Sequence, residues 1–145
     1  IIIHGNGEQW RPLLSVNDVV SAFISVMEAP LDVVAGEIYN VGGKDSNIQI
    51  RELASIIASQ LPNVNIEFAP KLTDQRSYHL NFDKILNRLN YHPNTSHLEG
   101  VLSIIHAIQS KKIDPGDPTF YTVDWYRKRV FPKINQNMRS DRNHD

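Results

Sequence analysis

The sequence predicts an α/β fold, and three observations carry that expectation. Short apolar runs closed off by glycine or proline recur along the chain, at residues 1–4, 36–43 and 66–68. Longer stretches repeat apolar residues at helical spacing: Ile50, Leu53, Ala54, Ile57 and Leu61, then Leu98, Val101, Leu102, Ile105 and Ile108. The second stripe opens on Ser96 and Glu99, whose Ser-x-x-Glu spacing is a capping box. A few short strands with four to five helices make a small mixed α/β unit, and the sheet is undersized for a parallel strand buried on both faces.

In chain order, residues 1–4 read as a strand stopped by Gly5-Asn6-Gly7, whose glycines and asparagine accept positive φ. Leu13-Leu14-Ser15-Val16 reads as a second extended run, with Pro12 restricting its start to a sheet edge. Asn17 is a candidate cap for a helix with Asp18 in its first turn. Val19, Phe23, Val26 and Met27 mark one apolar face, and Pro30 ends it. Residues 36–43 are apolar on both faces near the middle, as in a buried parallel strand. Left without sheet neighbours, such a strand is expected to pair with residues 1–3 or with another chain, giving a homodimer or a strand-exchanged oligomer. Gln49 and Glu52 occupy the capping positions of the next helix, Gln being the weaker cap. Residues 74–82 read as extended and 83–89 as a helix closed by Asn90 in a left-handed conformation. Residues 1–134 are read as one folded portion and the polar residues 135–145 as a disordered tail.

Composition narrows the function classes. At 145 residues with a net charge of −1, the chain has one domain's worth of core and no general attraction for nucleic acid or anionic membrane. It has no cysteine, which removes disulfides and thiolate chemistry and fits a cytoplasmic location. No apolar run approaches the ~20 residues of a membrane span. The first residue is Ile rather than Met, so the chain reads as a fragment. The six histidines show no metal-ligand spacing. Neither a phosphate-cradling Gly-x-x-x-x-Gly-Lys loop nor a Gly-x-Ser-x-Gly elbow is present.

What remains is a pair of anion-friendly arginines. Arg11 follows the glycine turn between Trp10 and Pro12, and Arg76 stands in Asp74-Gln75-Arg76-Ser77-Tyr78. Guanidinium forks suit phosphate oxygens, and two arginines on separate extended segments suit a diphosphate held between them. On composition alone the readier reading is that each arginine pairs with a nearby acid, Arg76 with Asp74 for example.

The motifs themselves are familiar. Gly5-x-Gly7-x-Gln9-x-Arg11-Pro12-Leu13-Leu14-x-Val16-x-Asp18-Val19 resembles a mid-chain segment of the extended short-chain dehydrogenase/reductases, the NAD(P)-dependent nucleotide-sugar epimerases and dehydratases. Glu37-Ile38-Tyr39-Asn40-Val41-Gly42 resembles that family's next landmark, a strand ending in Asn-x-Gly. Asp74-x-Arg76-Ser77-Tyr78-x-x-x-Phe82-Asp83-Lys84-Ile85, followed by Leu89-Asn90-Tyr91-x-Pro93, resembles the landmark after it. The match runs in order over about residues 1–110.

The resemblance implies the C-terminal, substrate-binding portion of an extended Rossmann-type enzyme. The Gly-x-x-Gly-x-x-Gly cofactor loop and the catalytic Tyr-x-x-x-Lys would lie in a missing N-terminal Rossmann domain, so the chain alone would bind no NAD or NADP, hold no catalytic residue and be inactive. It also implies that Arg11 contacts the diphosphate of a nucleotide-diphosphate sugar. Arg76 or Lys71 would supply a second phosphate contact, and Tyr78 would line the pocket near the sugar or ribose. A related reductase acting on another substrate, and a non-catalytic binding module, are the alternatives.

Overall fold

The computed structural model describes residues 1–70 and 76–131, which divide between Ile104 and Ile105 into two compact units. The larger unit contains four three-residue strands, β1 (Ile2–His4), β2 (Trp10–Pro12), β3 (Asn47–Gln49) and β4 (Glu67–Ala69). Among them run helices α1 (Val16–Glu28), α2 (Leu31–Val34), α3 (Ile50–Ser59) and α4 (Asp83–Leu89), with α5 (His97–Gln109) after them. The strands make two separate pairs. β1 lies parallel to β4 with Ile3 opposite Phe68, and β2 lies antiparallel to β3 with Arg11 opposite Ile48. The α/β class expected from the sequence is therefore the fold observed, with a sheet as small as the strand count implied.

Local chemistry explains most element boundaries. Helix α1 starts at Val16 because the Ser15 side chain, not Asn17, accepts the orphan amide, here that of Asn17 at 3.3 Å. The extended run before it is correspondingly earlier than the sequence suggests, at Trp10–Pro12 rather than Leu13 to Val16. Helix α3 begins after Gln49, which makes no side-chain cap bond, as its weak capping tendency implies. Asn90 closes α4 with φ of 48°, and the Glu99 carboxylate accepts from the Ser96 amide at 2.7 Å while Ser96 Oγ accepts from the Glu99 amide at 3.2 Å.

The main core of this unit is a cluster of Ala22, Phe82, Ile85 and Tyr91, with Tyr39, Val41, Leu80, Leu86 and Leu89 packed against it. Gly42 is required there, because a Cβ at that position would fall 2.5 Å from the Phe82 ring. Asp18 ties the cluster together. It is buried, its carboxylate accepts from the amides of Asn94 (2.9 Å) and Thr95 (3.1 Å), and its own carbonyl accepts from the Tyr91 hydroxyl (2.8 Å).

Two sequence expectations are corrected. Residues 36–43 form no strand; Tyr39 and Val41 turn onto the core while Ile38 is 84% exposed. Backbone partners for a strand are missing, and side chains take their place. Lys84 Nζ donates to the Ile38 carbonyl at 2.8 Å, and Asn40 Nδ2 donates to that of Asn81 at 3.2 Å. Residues 1–3 do not pair with this segment, since β1 is engaged by β4. The second correction concerns α1, whose buried residues are Asp18 and Ala22, whereas Phe23 and Met27 of the expected inner face are 67% and 82% exposed. The helix is held by the Asp18 carboxylate, and the apolar side chains of Phe23 and Met27 stay exposed among the described residues.

The 37–41 segment is further pinned by Glu37, which accepts from Lys84 Nζ (2.6 Å) and Arg88 Nη1 (2.7 Å), while Lys84 also sits 4.8 Å from the Tyr39 ring centre. The hydrogen bonds from Lys84 and then Arg88 hold the Glu37 carboxyl down to about 2, well below its usual 4.5.

In the smaller unit, Lys111 turns the chain with φ of 56°, and Asp117 caps a 3₁₀ turn (Pro118–Phe120) by accepting from the Thr119 amide at 2.8 Å. Helix α6 (Thr122–Trp125) continues as a π turn through Val130, with Trp125 and Tyr126 meeting edge to face at 5.5 Å. The residue 135–145 segment lies outside the described residues.

Two predictions follow from these anchors. Asp18→Ala leaves the Asn94 and Thr95 amides without their acceptor and lowers unfolding stability by about 2 kcal/mol or more, measured by urea denaturation followed by circular dichroism. The Glu37 contribution is present above pH 4.5 and is lost as pH falls through about 2, because the folded pKa is the depressed one. Glu37→Gln should remove that part of the acid dependence of the thermal midpoint between those two pH values.

Candidate functional site: the Arg11 cluster

The site is built on β2. Gly5 and Gly7 take φ of 83° and 72°, and the Asn6 side chain accepts from the Glu8 amide at 3.1 Å, which sets a tight turn before the strand. A Cβ on Gly7 would lie 2.8 Å from that of Arg51, so the turn also packs closely on the start of α3. The Arg51 amide donates to the Gly7 carbonyl (2.9 Å), and the Arg51 guanidinium pairs with Glu8 (3.1 Å). On one side β2 is bonded to β3. On the other, the Trp10 amide donates to Ser77 Oγ (3.0 Å) and the Tyr78 amide to the Trp10 carbonyl (3.4 Å). β2 thus lies between β3 and the 76–80 segment.

A second clamp fixes that segment. Asn47, on β3, donates through Nδ2 to the Leu80 carbonyl (2.9 Å) and accepts through Oδ1 from the Leu80 amide (3.0 Å). An amide side chain bonded both ways to one residue's backbone substitutes for a strand pairing. Edge-to-face contact between Trp10 and His79, 5.1 Å between ring centres, adds an aromatic contact to the same junction.

Arg11 sits at the middle of this assembly, half-buried. Its Nη1 donates to the carbonyls of Trp10 (2.8 Å) and Arg76 (2.5 Å), and its guanidinium lies 5.2 Å from the centre of the Tyr78 ring, within cation–π range. Among the described residues it makes no pair with a carboxylate. The alternative of a local ion pair is therefore not met for Arg11 by any described acid. Arg76 contributes its carbonyl here and is engaged in a further interaction of its own. Of the four residues singled out in the sequence, Arg11, Arg76 and Tyr78 come together; Lys71 lies outside the described residues, as does Asp74.

Trp10, Ser77 and Asn47 are the supporting residues that sequence reading passed over. A serine beside a tyrosine and an asparagine before a helix carry no signal of long-range pairing. A hollow of about 420 Å³ lies elsewhere, between residues 43–46 and 92–97, with Lys44, His92 and His97 among its lining residues; Arg11 and Tyr78 are not part of it. No group of histidines and carboxylates suited to a metal ion occurs among the described residues.

Residues 1–42, which include β2 and Arg11, match the model of the NAD dependent epimerase/dehydratase family. CDP-paratose 2-epimerase of Salmonella typhi is 28% identical over 103 residues, 68% of this chain and 30% of that protein. Among solved structures, Pal from Bacillus thuringiensis aligns with a TM-score of 0.61 at 25% identity, covering 76% of this chain and 34% of that one. ADP-L-glycero-D-manno-heptose-6-epimerase of Helicobacter pylori aligns at 0.62 and 22% identity, over 75% and 33% of the two chains. UDP-glucuronic acid 4-epimerase of Bacillus cereus, solved with UDP-glucuronic acid and NAD, aligns at 0.57 and 22% identity, over 70% and 32%.

The fold is that of the matching portions of these structures, and the chain spans about a third of the length of the relatives it matches. The resemblance to the NAD dependent epimerase/dehydratase family, first seen in the motifs, is borne out.

The Asn47 clamp gives a direct test of how the site is held. Asn47→Ala should cost about 1–3 kcal/mol of local stability and accelerate hydrogen exchange at the Leu80 amide, read by heteronuclear NMR.

Proposed function

We propose that this chain is the substrate-binding part of an NAD(P)-dependent nucleotide-sugar epimerase or dehydratase, with Arg11 gripping the diphosphate. The observation that carries the proposal is a half-buried arginine in the family-matched segment, paired with no acid among the described residues and held against Tyr78. A guanidinium in that position supplies charge and paired donors for phosphate oxygens. Its contribution to the reaction is positioning, and a displacement of about 1 Å in a bound substrate can cost ~10²-fold in rate.

The sequence contains neither a Gly-x-x-Gly-x-x-Gly loop nor a Tyr-x-x-x-Lys pair. The residues here therefore do not fit a dinucleotide, and no hydride or proton step is assigned to them. Those groups are proposed to come from a Rossmann domain outside this sequence. The exposed apolar side chains Phe23 and Met27, one turn apart on α1, support that reading, since exposed apolar surface on a helix face suits further polypeptide.

In the enzyme with its cofactor-binding polypeptide present, Arg11→Ala should weaken nucleotide-diphosphate-sugar binding by tenfold or more, about 1.4 kcal/mol, in isothermal titration calorimetry. Arg11→Lys keeps the charge without the fork and should recover only part of the loss. Affinity unchanged by Arg11→Ala removes this residue from the site.

A further inference from the structure

The Arg11 guanidinium has five N–H donors, and the surrounding chain has already committed two of them. Both Nη1 protons are accounted for, one by the Trp10 carbonyl at 2.8 Å and one by the Arg76 carbonyl at 2.5 Å. Tyr78 lies against the cation, 5.2 Å from guanidinium carbon to ring centre. Among the described residues, the donors left are Nε–H and the two on Nη2. Nε–H and one Nη2–H point the same way along one edge, which is the fork that takes two oxygens of a phosphate at once.

We propose that Tyr78 is a positioning residue: its ring, with the Arg76 carbonyl, fixes the roll of the Arg11 guanidinium so that the Nε–Nη2 edge meets the oxyanion. The inference rests on the reading of Arg11 as the diphosphate contact. The carbonyl and the ring come from one tripeptide, and the residue between them, Ser77, is tied to the Trp10 amide at 3.0 Å. The carbonyl that holds Nη1, the ring against the cation and the strand that bears Arg11 are thereby linked into one unit. Without the ring, a guanidinium on a flexible stem can turn about its last bonds and present a single corner instead of the fork. On this account the aromatic face matters and the hydroxyl does not, so Tyr78 acts through Arg11.

The test uses two probes on the chain and its Tyr78→Phe, Tyr78→Leu, Arg11→Ala and Arg11→Ala/Tyr78→Leu variants. Tyr78 is 48% exposed, so these changes leave the core intact. Inorganic pyrophosphate, which carries the P–O–P group without base or sugar, is titrated by calorimetry. Tyr78→Phe should bind within twofold of the parent. Tyr78→Leu should lose about three- to fivefold, the range a partly exposed cation–π contact supports, and should lose nothing further once Arg11 is alanine.

The ligand-free probe is the Arg11 side-chain ¹⁵N–¹H spectrum. Separate Nη1 and Nη2 proton signals should persist in the parent and Tyr78→Phe and merge by rotation in Tyr78→Leu. Equal loss in Phe and Leu, or a Leu effect that survives in the Arg11→Ala background, overturns the proposal by making Tyr78 a direct contact. Unmerged signals in Tyr78→Leu overturn it as well. Pyrophosphate binding that is absent, or indifferent to Arg11→Ala, instead counts against the diphosphate reading itself, while the spectra still decide whether Tyr78 orients Arg11.

Discussion

The larger unit depends on one buried carboxylate. Asp18 stands in the first turn of α1 and receives amides from residues 76 and 77 positions further along the chain. A buried anion is costly unless its lone pairs are filled, and here two backbone donors fill them in a loop that has no regular structure of its own. The same residue's carbonyl takes the Tyr91 hydroxyl. These three bonds fix the start of α1 against the 90–95 loop, and with it the Phe82, Ile85 and Tyr91 core. Position along the helix matters too. In the first turn a carboxylate also meets the positive end of the helix dipole, so burial at Asp18 is less costly than it would be in the last turn of α1.

The Arg11 cluster inherits its precision from that frame. β2 is a three-residue strand and could not hold a long side chain by itself. It is fixed because each neighbour is fixed in turn. β3 leads directly into α3, the 76–80 segment is clasped by Asn47, and Phe82 at its end is sunk in the core that Asp18 closes. The cation is therefore positioned from three directions by groups that share no local sequence.

That dependence explains which parts were legible in the sequence. Helix α4, its left-handed Asn90 and the Ser96–Glu99 capping box were readable, because each is decided by residues within a few positions of one another. Arg11 and Tyr78 were singled out too, from motif order and not from spacing, and the structure sets them side by side. The strand expected at 36–43 failed for a physical reason. Apolar residues on both faces state what a segment could bury, not what is available to cover it, and here only the Tyr39 and Val41 side is covered. The α1 face failed in the same way. Periodicity marked Val19, Phe23, Val26 and Met27 as one apolar face, whereas a polar residue, Asp18, decides which side of the helix meets the core. Both errors leave apolar side chains exposed at Phe23, Met27 and Ile38.

Those exposed side chains and the arginine that meets no acid among the described residues are two aspects of one condition. Among the described residues Phe23 is left uncovered and Arg11 is given no carboxylate. Glu37 shows that the sequence can do so where it needs to, since two cations from α4 converge on that one acid. Arg11 receives different neighbours: two carbonyls and an aromatic face, all of which stabilise and orient a cation while leaving its net charge uncompensated. Carbonyl oxygens and a π face hold a guanidinium in place without competing for its remaining fork, whereas a carboxylate would occupy that fork. The choice of described partners around Arg11 is thus the strongest local support for the proposal that an anion from outside completes the site.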